Sequence, residues 1–388
     1  MSMTDELQGE SSRSKKKKYA EHDRIPAERY SGRQSRGHEK IRGERFKESE
    51  EQTSHGKDIG DRLITAAAAV VLAVCLVILG RYVYHIIEAK SNHDNIKDIY
   101  EKAASVTDTV LETLYITAAE TETVTAAVTD STAVLTDDIV SETTAPIVRE
   151  PLELLPAASE MLNINSDTVG YVKIPGILDE VVVQTSDNDY YLTHNFYGTR
   201  RECGTVFADH RDNVCDYPDL MSDNIILYGH NQQDGTMFGN MDYYRWHPER
   251  WLQDPFIYFN TNYEEGVYVI IASFVTNALP EDDNGNIFDY WNYINLSDQS
   301  DYEYFIGEIK KRSTMITGVD VMPGDKFLTL STCATEWDDS RHAIVARKLR
   351  PGESEESIGR DAFQINPNPK WPAIYYRLNG GSYVEDAG

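Results

Sequence analysis

Phe327-Leu-Thr-Leu-Ser-Thr-Cys333 is a β-type run that ends in a cysteine, and Arg341 opens the next such run eight residues later. Two adjacent strands joined by so short a loop would hold the thiol beside the guanidinium. A neighbouring cation favours the thiolate, the nucleophilic form of cysteine. The same guanidinium can stabilise an oxyanion on an attacked carbonyl group. The alternative is a buried free cysteine with a surface arginine.

The rest of the C-terminal half predicts a mainly β domain. Many short strands with few helices favour a closed β-barrel over a doubly wound sheet. A helix is predicted at Asp298–Arg312, where apolar residues recur at helical spacing, and a shorter one at Pro151–Leu162. Turn-type clusters separate most of the eight strand-like runs, which are Val169–Ile174, Val181–Gln184, Gly204–Ala208, Asn224–Tyr228, Phe256–Phe259, Val267–Val275, Lys326–Leu330 and His342–Leu349.

A thiol nucleophile also needs a proton partner, and His230 is the favoured residue. It lies in Tyr228-Gly-His-Asn231, directly after an apolar strand-like run, so it is expected at a rim of the domain. Four other histidines compete in less distinctive contexts: His194, His210, His247 and His342. The sequence contains no HExxH, paired CxxC or carboxylate cluster at metal-ligand spacing, so no metal site is expected.

A membrane-spanning helix is predicted near the N-terminus. Leu63–Gly80 (LITAAAAVVLAVCLVILG) is 18 residues without a charge, and the apolar character continues to Ile87. About 20 such residues span a bilayer. Lys15–Lys18 and Arg62 precede it, which places the N-terminus in the cytoplasm and the rest outside. The preceding segment is too long and polar for a signal peptide. A buried core helix is the alternative.

Charge and composition complete the domain organisation. The 388 residues include 37 Lys+Arg and 64 Asp+Glu, a net charge of −27, which argues against nucleic-acid binding. Prolines in the last segment predict an extended strap. The predicted parts are a disordered cytoplasmic tail (1–62), a transmembrane helix (63–87), a juxtamembrane helix and Thr-rich stalk (88–150), a catalytic domain (151–352) and a C-terminal extension (353–388).

The other three cysteines are expected to have different roles. Cys75 lies in the membrane span and is interpreted as a small apolar residue. Cys203 and Cys215 lie outside the cytoplasm in a polar segment, where they could form a disulfide or both stay reduced.

Thr329-Leu-Ser-Thr-Cys333 resembles the TLxTC signature of sortases, the membrane-anchored cysteine transpeptidases of Gram-positive bacteria, and most of all those of class B. The Tyr-Gly-His-Asn stretch about 100 residues upstream and the arginine eight residues after the cysteine strengthen the likeness. The resemblance covers about residues 152–352. Other stretches that share it, in the expected order, are Val169–Gly176, Asp187–Leu192, Gly204–Asp209 and Gly235–Phe238.

The resemblance implies an eight-stranded mixed β-barrel with an N-terminal helical region and a helix-bearing insertion between strands six and seven. It implies that His230, Cys333 and Arg341 form a catalytic triad. Ser331 and Thr332 match strand positions that face the bound peptide, and Asn231 is expected to contact it as well. Three further interpretations concern neighbouring residues: Arg347 should lie farther from the thiol, the insertion 276–324 should set specificity, and Leu279–Ile287 should border the substrate.

The implied reaction is cleavage of a C-terminal sorting signal, of NPxTx or related form, on a surface protein. The Thr carboxyl would then be joined to an amine of the peptidoglycan precursor. Such chemistry needs no cofactor. The alternatives are polymerisation of pilins through a lysine amine, a cysteine-dependent hydrolase, and a non-catalytic scaffold on a retained barrel.

Overall fold

The computed structural model describes residues 39–121 and 151–383, with side chains described for 62–105 and 151–383. The chain divides into two units between Leu79 and Gly80. Helix α1 runs over Glu39–Thr121. It therefore begins inside the segment 1–62 that was predicted to be a disordered tail, and Glu, Lys and Arg in that stretch are good helix formers. The remainder of the tail, 1–38, and the stalk beyond Thr121 lie outside the described residues.

The first unit carries the predicted membrane segment. Within Arg62–Ser105, α1 contains a window long and apolar enough to cross a membrane, judged by length and composition. Its apolar side chains point outward, with Val70 63% and Leu76 59% exposed. Contact with lipid tails would satisfy such a surface, whereas water would not.

The second unit is built around a closed barrel of eight strands in the order β1-β2-β3-β4-β8-β9-β6-β5. This confirms the predicted fold, and all eight strand-like runs contribute a barrel strand. The barrel strands are β1 (Thr168–Ile174), β2 (Leu178–Val183), β3 (Phe207–Ala208), β4 (Asn224–Tyr228), β5 (Phe256–Thr261), β6 (Val267–Asn277), β8 (Phe327–Cys333) and β9 (Ser340–Lys348). Strands β7 (Met315–Ile316) and β10 (Gln364–Ile365) form a separate pair.

The barrel is mixed, and its pairing sets the positions that matter for chemistry. Strand β4 runs parallel to β8, and β8 runs antiparallel to β9. Apolar side chains such as Val172, Leu330 and Ile344 fill the interior and are fully buried. A closed barrel leaves no free sheet edge, so the register of β8 is fixed on both sides.

Four helices accompany the barrel within the described part of the second unit, besides the end of α1. They are α2 (Pro156–Ile164), α3 (Asp242–Trp246), α4 (Gln299–Arg312) and α5 (Ala373–Asn379). Helix α4 lies between β6 and β8, the sixth and seventh barrel strands, as predicted. The side chain of Asp298 caps α4 by accepting from the backbone N–H of Ser300 and of Asp301. Tyr302 and Phe305 of α4 are buried in the core.

The C-terminal extension is not simply the predicted extended strap. Its β10 pairs with β7, and its last described part forms α5. The first backbone N–H of α5, on Ala373, donates to Asp283 Oδ1 over 2.8 Å. Pro372 directly precedes α5. A proline at this position does not disturb the helix, because the first N–H groups of a helix have no intrahelical acceptor. The extension therefore packs on the insertion that carries α4.

Candidate active site

Cys333 and Arg341 face each other across the β8–β9 pair. They are register partners at the end of the ladder, next to the turn that joins the strands. Directly opposed residues of an antiparallel pair have Cβ atoms about 5 Å apart. Cys333 is exposed, whereas the six residues before it in β8 are buried. The spacing seen in the sequence thus produces an accessible thiol beside a guanidinium.

His230 reaches the same place from the parallel neighbour strand. Tyr228 of β4 is the register partner of Ser331, and the N–H of Gly229 donates to the Ser331 carbonyl over 3.3 Å. A side chain at Gly229 would have its Cβ 3.0 Å from the ring of Phe238, so glycine suits this position. His230, Cys333 and Arg341 all line one cleft of about 380 Å³.

The imidazole of His230 has a defined orientation. Its Nε2 lies 2.8 Å from the carbonyl oxygen of Leu192. A carbonyl oxygen can only accept, so Nε2 carries a proton and donates it to this contact. The other ring nitrogen, Nδ1, has no hydrogen-bond partner among the described residues.

Asn231 has a different contact from the one expected. Its Nδ2 donates to the carbonyl oxygen of Cys333 over 3.0 Å and to Asp242 Oδ2 over 3.2 Å. The side chain therefore holds the backbone of Cys333. It also lines a second cleft, of about 450 Å³, in which Cys333 participates but His230 and Arg341 do not.

Ser331 and Thr332 border the first cleft, but their hydroxyls are bonded within the protein. Ser331 Oγ lies 2.6 Å from the hydroxyl of Tyr290, and Thr332 Oγ1 donates to the Gly229 carbonyl over 2.7 Å. Burial raises the pKa of Tyr290 to about 12, so its hydroxyl stays protonated at neutral pH. The strand that carries Cys333 is thus linked both to the His230 segment and to the insertion.

An ion pair that sequence reasoning missed supports the opposite wall of the first cleft. Asp209 is buried and accepts from Arg211 Nε and Nη2 over 2.8 Å each, and from the Tyr228 hydroxyl over 3.0 Å. Burial alone would raise the pKa of Asp209, but hydrogen bonds, above all from Arg211, lower it to about 2. Arg211 also donates to the Trp291 carbonyl over 2.7 Å.

Three residues of the insertion 276–324 line the first cleft: Ala278, Tyr290 and Trp291. The stretch Leu279–Ile287 was expected to border substrate. Instead, within that stretch the buried carboxylate of Asp283 binds the C-terminal extension. None of the residues 279–287 lines the first cleft, and their contact with substrate stays a prediction.

The competing residues lie elsewhere. His342 is buried in β9 and bonds Ser273 Oγ over 2.9 Å, and burial, with a smaller effect of Arg245, lowers its pKa to about 3. Arg347 is fully buried, lies opposite Phe327 rather than Cys333, and pairs with Glu353 over 2.7 Å. The cysteines described by the structure are free thiols, Cys203 and Cys215 included.

Two known proteins with similar sequences are both named sortase B. Sortase B of Staphylococcus aureus is 30% identical over 193 residues, which cover 49% of this chain and 72% of that protein. Sortase B of Listeria monocytogenes is 29% identical over 189 residues, covering 48% of this chain and 70% of that protein. A search with family models gives no match.

The fold has a solved counterpart in a sortase B–substrate complex of Staphylococcus aureus. The TM-score is 0.50 at 21% identity, and the match covers 69% of this chain and 99% of that chain. The barrel and the relatives define a sortase-type transpeptidase. Among the sortases, this chain belongs to the sortase B family, because its identity to a curated member extends over more than two thirds of that member.

Proposed function

We propose that the chain is a membrane-anchored class B sortase that cleaves C-terminal sorting signals and transfers the acyl part to a cell-wall amine. The observation that carries the proposal is the register pair of Cys333 and Arg341, with His230 beside it in one cleft. A thiol, a guanidinium and an imidazole at one site are the groups that acyl transfer through a thioester requires.

In the first half-reaction, the Cys333 thiolate attacks the carbonyl carbon of the Thr residue in the sorting signal. The new C–S bond pushes the carbonyl electrons onto oxygen, and Arg341 stabilises that oxyanion. When the carbonyl re-forms, the C–N bond breaks and His230, as imidazolium, gives its Nδ1 proton to the departing amine. His230 keeps its Nε2 proton throughout and donates it to the Leu192 carbonyl oxygen. The product is a thioester on Cys333.

In the second half-reaction, an acceptor amine attacks the same carbonyl carbon. The amine loses a proton to His230, the C–S bond breaks, and Cys333 leaves as the thiolate. The net change is exchange of one amide for another, with no cofactor consumed.

The lining of the first cleft supports a peptide donor. The first cleft presents Leu192, Tyr290 and Trp291 beside the triad, which suits an extended peptide of NPxTx type with a β-branched Thr near the thiol. The acceptor we propose is an amine of the peptidoglycan precursor. Both partners are available at the outer membrane face, so anchoring by residues 63–87 would keep the enzyme where they meet.

The test uses the full chain in detergent micelles with pools of Asn-Pro-x-Thr-x peptides, with and without amine acceptors. Formation of an amide with a short glycine or cross-bridge peptide would support wall anchoring. Transfer only to a lysine within a pilin peptide would favour pilus assembly. Release of the free acid whether or not an amine is present would identify a hydrolase and contradict the proposal.

The proposed orientation places the N-terminus in the cytoplasm and the catalytic domain outside. Protease added to intact, wall-stripped cells should then cut within the stalk, 115–146, and leave the N-terminal tail protected. Cleavage of the tail with protection of the stalk would reverse the orientation.

A further inference from the structure

Glu180 of β2 links two parts of the molecule that the reaction scheme does not mention. Its Oε1 accepts from the backbone N–H of Met237 over 2.6 Å, and its Oε2 lies 3.2 Å from His93 Nδ1 on α1. The carboxylate is only 11% exposed. A shielded carboxylate with two partners makes stronger hydrogen bonds than an exposed one, so both contacts can position their partners.

Met237 is held in an unusual conformation. Its φ is +52°, in the left-handed region that side chains other than glycine rarely adopt, and it is 6% exposed. Such a conformation persists only where surrounding contacts enforce it. The short hydrogen bond from its N–H to Glu180 is one such contact, and an isolated β-bridge to Asn231 is another.

The segment 230–238 closes on itself through these residues. The N–H of Phe238 donates to the carbonyl of His230 over 3.1 Å, and Asn231 is bridged to Met237. Asn231 in turn donates to the carbonyl of Cys333 over 3.0 Å. A continuous path of contacts therefore runs from Glu180 through Met237 and Asn231 to Cys333. His230 lies next to Asn231 in this loop.

We propose that Glu180 is a positioning residue for transpeptidation: it fixes the 230–238 loop so that His230 and Asn231 keep their places beside Cys333. This inference rests on the proposed roles of these three residues. Positional errors near 1 Å at reacting groups can lower rates about a hundredfold. Loss of the Glu180 contact would remove the hydrogen bond that ties Met237 to β2, and the loop could then allow such errors.

The partner of Glu180 on α1 belongs to a wider docking surface. Here Lys97 pairs with Asp179 over 2.6 Å, and the rings of Tyr100 and Tyr171 stack with centroids 3.7 Å apart. Asp179 precedes Glu180 in the chain and binds the same helix, but among the described residues its hydrogen-bond and ion-pair partners are Tyr171, Lys97 and Lys173, not the 230–238 loop. It therefore provides a matched control, because its loss weakens helix docking without touching Met237.

The experiment compares Glu180→Ala, Glu180→Gln and Asp179→Asn in the full chain in detergent micelles. Glu180→Ala should lower kcat for thioester formation at least tenfold with little change in KM. Glu180→Gln should restore most of the rate, because the amide oxygen still accepts from Met237. Asp179→Asn should keep nearly the wild-type kcat. Donors are the Asn-Pro-x-Thr-x pools.

Hydrogen exchange gives a second measurement that does not depend on the reaction. In Glu180→Ala the amides of 231–239 should exchange at least tenfold faster, whereas in Asp179→Asn the faster exchange should appear in 88–105. If the wild-type chain cleaves no donor, the proposed function fails, while the exchange pattern still decides the role of Glu180. Unchanged exchange over 231–239, or equal kcat for Glu180→Ala and Asp179→Asn, would overturn the inference.

Discussion

The two walls of the first cleft are held in place by different forces. On one side, β8 and β9 pair without interruption from Phe327 to Cys333, and β4 pairs with β8 over five positions. Backbone hydrogen bonds therefore set where Cys333, Arg341 and the residues after Tyr228 lie. These bonds hardly depend on side-chain identity. The backbone of this wall should therefore stay in place even when its side chains are substituted.

The insertion forms the opposite wall and is held mainly by side chains. Tyr290 bonds Ser331, Arg211 bonds the Trp291 carbonyl, and the rings of Phe288 and Phe305 pack behind them. A few substitutions could reshape such a wall without disturbing the barrel. Under the proposed function, the β8–β9 pair positions the residues that carry out the reaction, and the insertion determines which donor peptide binds.

The largest effect is expected for Cys333→Ala on the ladder wall. The change removes the only atom that forms the proposed thioester, so amide product should fall to background for every donor. Because Cys333 is exposed at a strand end, the unfolding midpoint should hardly move. Mass spectrometry should detect a thioester adduct on the wild-type chain alone. Cys203→Ala is the control and should retain activity. A folded Cys333→Ala chain that still forms amide would exclude Cys333 as the nucleophile.

Arg341→Lys should come next, with kcat reduced about 10²–10³-fold for all donors alike. Lysine keeps the charge but lacks the planar pair of N–H donors that an oxyanion can accept from. Arg347→Lys is the matched control on the same strand. It should lower the unfolding midpoint, because Arg347 is fully buried against Glu353, and should alter kcat little. The reverse pattern would show that Arg347, not Arg341, is the catalytic arginine.

The sequence predicted the ladder wall well because its information is local. Apolar runs and turn residues indicate strands, and the seven residues between Cys333 and Arg341 fit a hairpin that opposes the two. The mixed character of the barrel came only with the family resemblance, and the order of its strands was not predicted, since pairing between distant segments leaves no periodic trace.

The insertion wall and the loop contacts were predicted poorly, for a physical reason. Whether Trp291 or the stretch Leu279–Ile287 faces the cleft depends on where the C-terminal extension packs, and Asp283 receives an N–H from a residue 90 positions later. Likewise, neither the left-handed conformation of Met237 nor the bond from Asn231 to the Cys333 carbonyl has a signal in neighbouring residues. Tertiary contacts decide these features.

A substitution in the insertion wall should change preference rather than chemistry. Trp291→Ala removes a large aromatic side chain that lines the cleft, so KM should rise by different factors for different donors, roughly tenfold for those with bulky x residues. Competition between peptides of the Asn-Pro-x-Thr-x pool measures the ranking directly. Tyr304→Ala, on the exposed side of α4, is the control and should leave the ranking unchanged. If KM rises by the same factor for all donors, donor selection depends on residues outside this wall.

The smallest effect on activity is expected where the two walls are tied together, at the ion pair of the buried Asp209 with Arg211. The pKa of Asp209 in the folded chain is about 2, below its ordinary value near 4. A lowered pKa means that the ionised carboxylate stabilises the fold above about pH 4, and that this stabilisation is lost as the pH falls through 2. At neutral pH, the difference corresponds to about 2 kcal/mol.

Asp209→Asn should therefore lower the free energy of unfolding by about that amount at pH 7 and by progressively less toward pH 2. Urea titrations of both chains at pH 7, 4 and 2.5 measure the change, and Asp361→Asn, at an exposed carboxylate, is the control. Activity at pH 7 should fall only a few-fold, because Arg211 would still reach the Trp291 carbonyl. A stability difference that stays constant with pH would mean that Asp209 acts through packing, and that charge does not tie the insertion to the barrel.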